Sequence, residues 1–376
     1  MSPLSPDSET RFGCSSCARC CRTPWSVLMT AGERERLARL SLDRVGHSAA
    51  TLLLPAPGGL FALAKKPGSD ECALLGPDNL CALHREFGEE SKPLACQRFP
   101  YLHVASDERV WVSANYGCKA VQEGHGPPLS AQTFTLNRLF SKDISEADPK
   151  ADTVYPLTPS LDVSTATLDA ALEKLFKVMG DRLFPAMVEL AAFAAASEGS
   201  PPPAQRPAGL GYAMALTLYT DIINTERLLD RLGAAWRLPK AMKLALRYES
   251  PAIGQTVDMA VAMKHPGVLP MESEALLLRL LRSRLRSRLV FKDVPSAVHG
   301  IGRLIVLVDV VLLFARAIAA DRAIAHGDVL RALEAVELRI AHQRALSELA
   351  ARDPRLIAAW GDGAVIRAAA ALMAPA

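Results

Sequence analysis

All eight cysteines of this 376-residue chain lie before residue 119, and four of them fall within eight consecutive positions. They are Cys14, Cys17, Cys20, Cys21, Cys72, Cys81, Cys96 and Cys118. Cysteines used as small core residues would be spread over the whole chain, and an exposed group of free thiols would oxidise or take up metal. The clustering therefore predicts a metal site, with all eight cysteines as candidate ligands.

The spacing of the first three cysteines narrows the choice of metal. Cys14, Cys17 and Cys20 follow the pattern C-x2-C-x2-C, which places three thiolates in one folded-back loop, as in bacterial ferredoxins that hold a [4Fe–4S] cluster. A C-x2-C pair combined with a distant cysteine pair is equally the arrangement of a zinc ribbon. We expect an iron–sulfur cluster, with Zn²⁺ as the alternative.

The adjacent pair Cys20 and Cys21 bears on the number of centres. Neighbouring side chains point in different directions unless the backbone turns sharply, which favours separate centres for the two thiols. Eight thiolates suffice for two zinc sites, two clusters, or one cluster with catalytic or resolving thiols left over. His84 could replace one thiolate, although a solvated or core histidine is the simpler interpretation.

The chain divides into two regions of different character, which predicts a mainly α protein with a small α+β part. Residues 1–128 hold the cysteines and several turn signals, residues 129–160 form a connector, and residues 161–376 predict an all-helical, bundle-like domain. A Pro-rich linker is expected at 197–211. Helices are expected near 165–196, 212–235, 239–249, 273–291, 296–320, 328–351 and 362–373.

Four local patterns are specific within the cysteine region. Thr30 followed by Glu33 is typical of a capping box that begins a helix. A reversal is expected on Gly76 to Asn79, with Cys72 and Cys81 on its two arms. The stretch GGLFALAKK contains a short strand, and YLHVASDERVWVS predicts a hairpin with its turn at 106–109.

Composition excludes several classes of function. Half of the residues are hydrophobic, 22% are charged and the net charge is +3, too small an excess to predict binding to nucleic acid or an anionic membrane. The start of the chain lacks the apolar segment of a signal peptide. The most hydrophobic stretch, residues 303–322, contains Asp309 and Arg316 and favours a buried core helix over a membrane span. We expect a cytoplasmic protein without a disulfide framework.

One helix is strongly basic. The stretch LLLRLLRSRLRSRLVFK, residues 276–292, places leucines on one stripe and Arg279, Arg282 and Arg286 on another face. A solvated helix face is the simpler interpretation. The alternative is a docking surface for an acidic partner, and the lack of interleaved aromatics argues against nucleic acid.

The cysteine region resembles the YkgJ-type cysteine-cluster family, which is described as a zinc- or iron-chelating domain. The resemblance rests on FGCSSCARCCRTPWSVLMTAGERERL, followed by CALH and KPLACQRFPY, and covers about the first third of the chain. The matching residues are Cys14, Cys17, Cys20, Cys21, Thr30, Glu33, Cys72, Cys81, Lys92, Pro93, Cys96, Phe99, Pro100 and Cys118. It implies that Phe99 and Pro100 cover the metal. Arg19, Arg22 and Arg98, which flank cysteines, could offset thiolate charge.

Three functions follow as hypotheses. The first is an iron–sulfur protein that supports redox or modification chemistry on a partner protein. The second is a zinc-stabilised interaction module without catalysis. The third is a protein lysine N-methylase that uses S-adenosylmethionine, because the flagellin lysine N-methylases are a related branch of similar length. Their first cysteine run is more widely spaced, and no Gly-rich cofactor-binding turn follows a predicted strand here.

Overall fold

The computed structural model describes residues 3–148, 153–197, 247–250, 253–342, 354–362 and 365–367. Within these ranges the protein is mainly helical, with sheets of two or three strands. The expected fold class, mainly α with a small β part, is confirmed. Among the described residues, the structure contains no helix of the length and apolar character that a bilayer crossing demands.

The cysteine region alternates short helices with short strands. The helices are α1 (Ala31–Ala38), α2 (Ala49–Leu52), α3 (Ala82–Phe87), α4 (Leu94–Arg98), α5 (Lys119–Gln122), α6 (Thr133–Leu139) and α7 (Ser141–Glu146). The strands are β1 (Leu4–Pro6), β2 (Leu28–Met29), β3 (Leu53–Ala56), β4 (Leu60–Leu63), β5 (Tyr101–Ala105) and β6 (Val110–Ala114). They form two sheets, in the orders β1-β6-β5 and β2-β4-β3. Only the pair β1 and β6 is parallel among these strands as described.

Longer helices follow this region, together with two hairpins. The helices are α8 (Thr165–Met179), α9 (Leu183–Ser197), α10 (Met259–Lys264), α11 (Met271–Arg286), α12 (Ala297–Ala319), α13 (His326–His342) and α14 (Pro354–Gly361). The hairpins pair β7 (Val154–Thr158) with β8 (Leu161–Ser164), and β9 (Arg247–Ser250) with β10 (Gln255–Asp258). Helix α12 is buried along most of its length and contacts α9, α10, α13 and α14.

The turn and capping signals of the cysteine region correspond to the observed structure. Thr30 accepts a hydrogen bond from the Glu33 amide, and the Glu33 carboxylate accepts one from the Thr30 amide, so α1 begins with the expected capping box. The reversal at Gly76 is closed by a hydrogen bond from the Gly76 amide to the Leu80 carbonyl and by one from the Asn79 amide to the Gly76 carbonyl. The predicted β5–β6 hairpin is also present, with its turn between Ala105 and Val110.

The hydrophobic interior has three parts. The largest unites α8, α9 and α11–α14 with Ala114, Tyr116, Val121 and Leu129, so it draws on both sides of residue 128. A second, smaller core is built from α1, α2, α3 and the sheet β2-β4-β3. A third lies between β1, β6 and α6. The cysteine region therefore packs partly against the large core and partly around the two smaller cores.

Several expectations for the later part of the chain are wrong. The region from 161 onward is not all-helical, because it contains β8, β9 and β10. The helix expected at 165–196 is two helices, with Gly180 at a φ of +59° between them. The segment 129–160, which remains a predicted connector between the two regions, contains α6, α7 and β7.

The hairpin of β9 and β10 overlaps the helix expected at 239–249. Gly254 adopts a φ of +63° that a glycine tolerates, and Tyr248, Thr256 and Val257 favour an extended backbone. Outside the described residues lie the helix expected at 212–235 and, apart from Ser197 at the end of α9, the linker expected at 197–211.

Candidate metal centre

The loop that carries the first four cysteines turns sharply. Ser16 and Ala18 have φ values of +53° and +58°, in the left-handed region that non-glycine residues rarely adopt. A 3₁₀ turn over Arg19–Cys21 follows, closed by a hydrogen bond of 3.0 Å from the Cys21 amide to the Ala18 carbonyl. The sulfurs of Cys20 and Cys21 are 4.0 Å apart. Despite this contact, the two thiols have different neighbours.

Cys21 belongs to a group with Cys72, Cys81 and Cys96, which we call the second group. The Cys72 amide donates a 2.8 Å hydrogen bond to the Cys21 carbonyl, and Leu75 pairs with Cys81 across the reversal. Burial is the largest cause that raises the pKa of Cys96, and the thiols of Cys72, Cys81 and Cys21 raise it further. These four thiols are therefore electrostatic neighbours.

Helix α1 holds the second group in place. Besides its part in the capping box, Glu33 accepts a 2.9 Å hydrogen bond from the Leu94 amide, at the start of the helix that carries Cys96. Arg36 donates to the carbonyls of Glu90, Ser91 and Lys92. The Thr-x-x-Glu motif thus positions the Lys-Pro-x-x-Cys motif, although the two are far apart in sequence.

Cys14, Cys17, Cys20 and Cys118 form the first group. Cys14 and Cys17 both raise the pKa of Cys118, and Cys14 and Cys118 both act on Cys20. Cys118 lies immediately before α5 and contacts the large core. Cys14 is exposed, whereas the other seven cysteines are half-buried.

Two glycines bring the loop of the first group to the end of α5. Gly126 has a φ of +92°, and a Cβ on it would lie 2.4 Å from the Gly13 nitrogen, so only glycine allows this approach. His125 Nδ1 is 2.8 Å from the Gly13 carbonyl oxygen, and the Phe12 amide donates to the Pro127 carbonyl. This contact places Cys14 on the same side of the protein as Cys118.

Burial and mutual repulsion disfavour the charged thiolates. Burial raises the pKa of Cys72 and of Cys118 to about 11 and also raises that of Cys81. The hydrogen-bonding contact with Cys21 raises the pKa of Cys20, and burial adds to it. Nearby cysteines act in the same direction in each case. A bound cation would reverse this balance, since it stabilises thiolates outright.

Backbone amides oppose this effect at three of the cysteines. The amides of Leu83 and His84 lower the pKa of Cys81, and those of Ala120 and Val121 lower that of Cys118. The Leu74 amide does the same for Cys72. Amides aimed at sulfur are a common feature around metal-bound thiolates.

Cys21 differs from the other cysteines in its charge environment. The contact with the Cys20 thiol lowers the pKa of Cys21 to about 7, and Lys92, Arg22 and Lys65 act in the same direction. Burial acts against them. Among the cysteines with a shifted pKa, Cys21 is therefore the one that loses its proton most readily.

The cysteine side chains are not arranged in a coordination shell. Within the described ranges, no three His, Cys, Asp or Glu side chains are arranged as a metal ion would require. The two groups are thus neighbourhoods of four thiols, with the correct donor chemistry for zinc or an iron–sulfur cluster but without coordination geometry.

The other residues singled out in the sequence have different outcomes. Arg22 bridges to Glu71 and Asn79 and favours the Cys21 thiolate, whereas Arg98 donates to the Leu139 carbonyl. His84 is exposed. Phe99 contacts Trp25 with ring centroids 6.1 Å apart. Of the three flanking arginines, Arg22 is the one seen to act on a cysteine.

The arginines of the basic helix α11 make contacts within the protein. Arg279 donates to the Gln122 carbonyl at 2.7 Å, and Arg282 donates to the Gly180 carbonyl at 2.6 Å. Arg286 lies within 4.0 Å of the carboxylates of Glu9 and Glu173. The sequence analysis interpreted this arginine face as solvated or as a docking surface. In the structure its arginines mainly connect α11 to other elements of the fold.

Helix α13 contacts residues next to the cysteines of the first group, which the sequence did not predict. Arg19, between Cys17 and Cys20, donates to Glu334 at 2.6 Å, and the Tyr116 amide donates to Glu337 at 3.0 Å. Leu338 lies so close to Gly117 that a Cβ there would be 2.5 Å from it. The spacing of these residues on an amphipathic helix predicts no such contact.

Comparison with protein-family models, with curated proteins and with solved structures gives no match for this chain.

Proposed function

We propose that this protein binds metal at two four-cysteine centres, one formed by the first group and one by the second. The observation that carries the proposal is that the eight cysteines, drawn from residues 14 to 118, fall into two neighbourhoods of four, which meet at the 4.0 Å contact between the sulfurs of Cys20 and Cys21. Each set contains the number of thiolates that a tetrahedral zinc site or a cubane cluster requires.

The energetics of the thiols support the same proposal. Half-buried thiols that raise one another's pKa are an unfavourable arrangement for a protein without a counter-charge. A divalent cation or a cluster removes the repulsion and converts it to attraction, so the free energy of metal binding would also stabilise the fold. The backbone amides near Cys81 and Cys118 would then orient and tune the ligands.

For the first group we propose a [4Fe–4S] cluster. Its C-x2-C-x2-C run and remote Cys118 give the ligand pattern that such clusters use. The cluster would supply electrons when bound. Cys14 is exposed, so a partner protein, as substrate or redox partner, would approach the cluster from this side.

A structural zinc site is the second candidate, and it applies to the second group. Cys72, Cys81 and Cys96 pack around the small core of α1, α2 and α3, whose elements are four to eight residues long. A core of this size gains much of its stability from a metal that joins its loops. In this case the second group would serve folding and partner binding without catalysis.

The test is an absorption spectrum of protein purified without oxygen, with iron, zinc and acid-labile sulfide measured on the same sample. An iron–sulfur centre predicts a broad band near ~400 nm and equal amounts of iron and sulfide. A colourless protein with about two zinc ions per chain would assign both groups to zinc. A protein with neither metal would contradict the proposal.

A further inference from the structure

A cavity of about 380 Å³ lies away from the cysteines, between the sheet β1-β6-β5, helix α8 and the end of α11. Its walls include Arg109 and Trp111 from the β5–β6 hairpin, Asp169 and Glu173 from α8, and Arg286 and Arg288 from the end of α11. Three arginines therefore line one partly open cavity, together with the carboxylates of Asp7, Asp169 and Glu173. The volume is that of a small-molecule site.

Arg288 is the least ordinary residue of this cavity. Its side chain is 3% exposed, and it pairs through Nη2 with Asp169. Within the described structure, its Nε and Nη1 are buried and have no hydrogen-bond partner. Its φ of +59° is in the left-handed region, which costs free energy for a residue with a side chain. A buried cation with unused donors and a strained backbone is typical of a site that binds a ligand.

Asp169 pairs with Arg288 and Glu108 also favours its charge, but burial acts against both. Burial lowers the pKa of Arg288 to about 10, and Arg109 acts in the same direction. The guanidinium carbon lies 4.8 Å from the centroid of Trp111. Arg109 also lies over that ring, at 5.2 Å. The ring of Trp111 therefore lies beside two cations, Arg109 and Arg288.

Arg109 and Arg286 hold their carboxylates loosely. The Nε of Arg286 is 3.5 Å from Glu9 Oε1, and its Nη1 is 3.4 Å from Glu173 Oε1. The Nε of Arg109 is 3.3 Å from Glu108 Oε1. Each guanidinium has five N–H donors, so these contacts leave most of the donors available for another acceptor.

We propose that this cavity binds the oxyanion of a small organic molecule, a carboxylate or a phosphate, between the guanidinium groups of Arg109, Arg286 and Arg288. Planar guanidinium groups suit both anions, because they offer parallel N–H donors to paired oxygens. The proposal does not depend on the metal centres, which use other residues.

The carboxylate of Glu173 in the cavity wall should affect anion binding in the opposite direction from the arginines. Glu173 is 61% exposed on its side chain and competes for Arg286. An incoming oxyanion has to displace it or share the guanidinium with it. Removal of the Glu173 charge should therefore tighten anion binding, while removal of the Arg286 charge should weaken it.

The test is isothermal titration calorimetry of the full chain, as purified, with inorganic phosphate and with citrate as separate probes. We expect Arg286→Gln and Arg109→Gln each to weaken binding by about tenfold or more, the value of one charge-assisted hydrogen bond. Glu173→Gln should tighten it. Arg282→Gln is the matched control, since Arg282 lies one turn earlier on α11 and binds the Gly180 carbonyl instead.

The outcomes separate the two anion classes. Binding of phosphate alone assigns a phosphate ligand, binding of citrate alone assigns a carboxylate, and binding of both supports a general oxyanion site. No binding of either probe, or equal binding by wild type and Arg286→Gln, would overturn the proposal. Arg109 and Arg286 are partly exposed, so their variants are suited to this test even if substitution of the buried Arg288 prevents folding.

Discussion

Gly126 shows how a single backbone position can place a cysteine. Its φ is +92°, and a Cβ on it would lie only 2.4 Å from the Gly13 nitrogen, so there is room only for a hydrogen atom. Gly126→Ala should therefore lower the free energy of unfolding by about 2 kcal/mol or more, from both strain and overpacking. It should also reduce metal bound by the first group.

Gly124 provides the control for this prediction. Its φ is also positive, at +63°, but the nearest atom to a Cβ there is 3.7 Å away, on the Arg279 side chain. Gly124→Ala should cost about 1 kcal/mol, from strain alone. Urea unfolding of both variants measures the difference, and equal losses would contradict the role of the Gly13–Gly126 contact.

Cys17 and His84 test the assignment of ligands at the residue scale. Cys17→Ser should strongly reduce metal content, because serine is a poor ligand for a soft metal. His84→Ala should leave it unchanged, since the His84 side chain is exposed. Metal analysis of the purified variants checks both, and full metal content in Cys17→Ser would rule out Cys17 as a ligand.

At the scale of elements, α13 connects the cysteine region to the helices through two glutamates one turn apart. Glu337 pairs with Arg284, and the side chains of both are less than a tenth exposed. Glu334 pairs with Arg19, whose side chain is 45% exposed. Although the second contact is only 2.6 Å long, burial outweighs Arg19 and raises the pKa of Glu334. The two pairs should therefore differ greatly in their effect on stability.

Glu337→Gln should destabilise the protein by about 3 kcal/mol, because it leaves the buried Arg284 without a counter-charge. Glu334→Gln should change stability by less than about 1 kcal/mol, as for other exposed pairs. Chemical unfolding of the two variants beside wild type measures the difference. Equal effects would contradict the view that Glu337 is the residue on which docking of α13 depends.

The first turn of α13 predicts a pH dependence. Asp328 accepts hydrogen bonds from Arg322 at 2.6 and 2.7 Å and from the Ala325 amide at 2.8 Å. The Arg322 contact, followed by the amide, lowers the pKa of Asp328 despite its burial. The stabilisation is therefore complete above the ordinary pKa of about 3.9 and is lost as the pH falls through the lower pKa of the folded state.

Asp328→Asn should destabilise the protein by about 1 kcal/mol at neutral pH, a value that allows for solvent screening of the exposed Arg322. The difference from wild type should shrink as the pH is lowered below about 4. Unfolding curves of both proteins over this pH range test the prediction. A difference that does not change with pH would show that charge on Asp328 has no part in it.

At the scale of the whole molecule, the sequence predicted local structure better than it predicted long-range contacts. The capping box at Thr30 and Glu33, the reversal at Gly76 and the β5–β6 hairpin all depend on signals within a few residues, and all are present. The second role of Glu33, as acceptor for the Leu94 amide, depends on tertiary folding. A sequence pattern cannot contain it.

The same limit applies to the candidate sites. The adjacency of Cys20 and Cys21 suggested separate centres, but the allocation of the remote cysteines required the fold, because β6 leads to Cys118 on one side and α1 holds Cys96 on the other. The hairpin of β9 and β10 was missed because its four-residue strands lie in Ala- and Leu-rich surroundings that favour helix. The arginine cavity combines residues from four distant segments and has no motif.

The division of the eight cysteines into two centres is the central claim, and paired serine variants test it most directly. Metal should be measured per chain in wild type, Cys14→Ser, Cys96→Ser and the double variant, all purified without oxygen. The account predicts that Cys14→Ser loses the metal of the first group and keeps that of the second, that Cys96→Ser does the reverse, and that the double variant keeps almost none. Complete loss in either single variant would indicate one shared centre, and undiminished metal in the double variant would contradict the assignment of ligands.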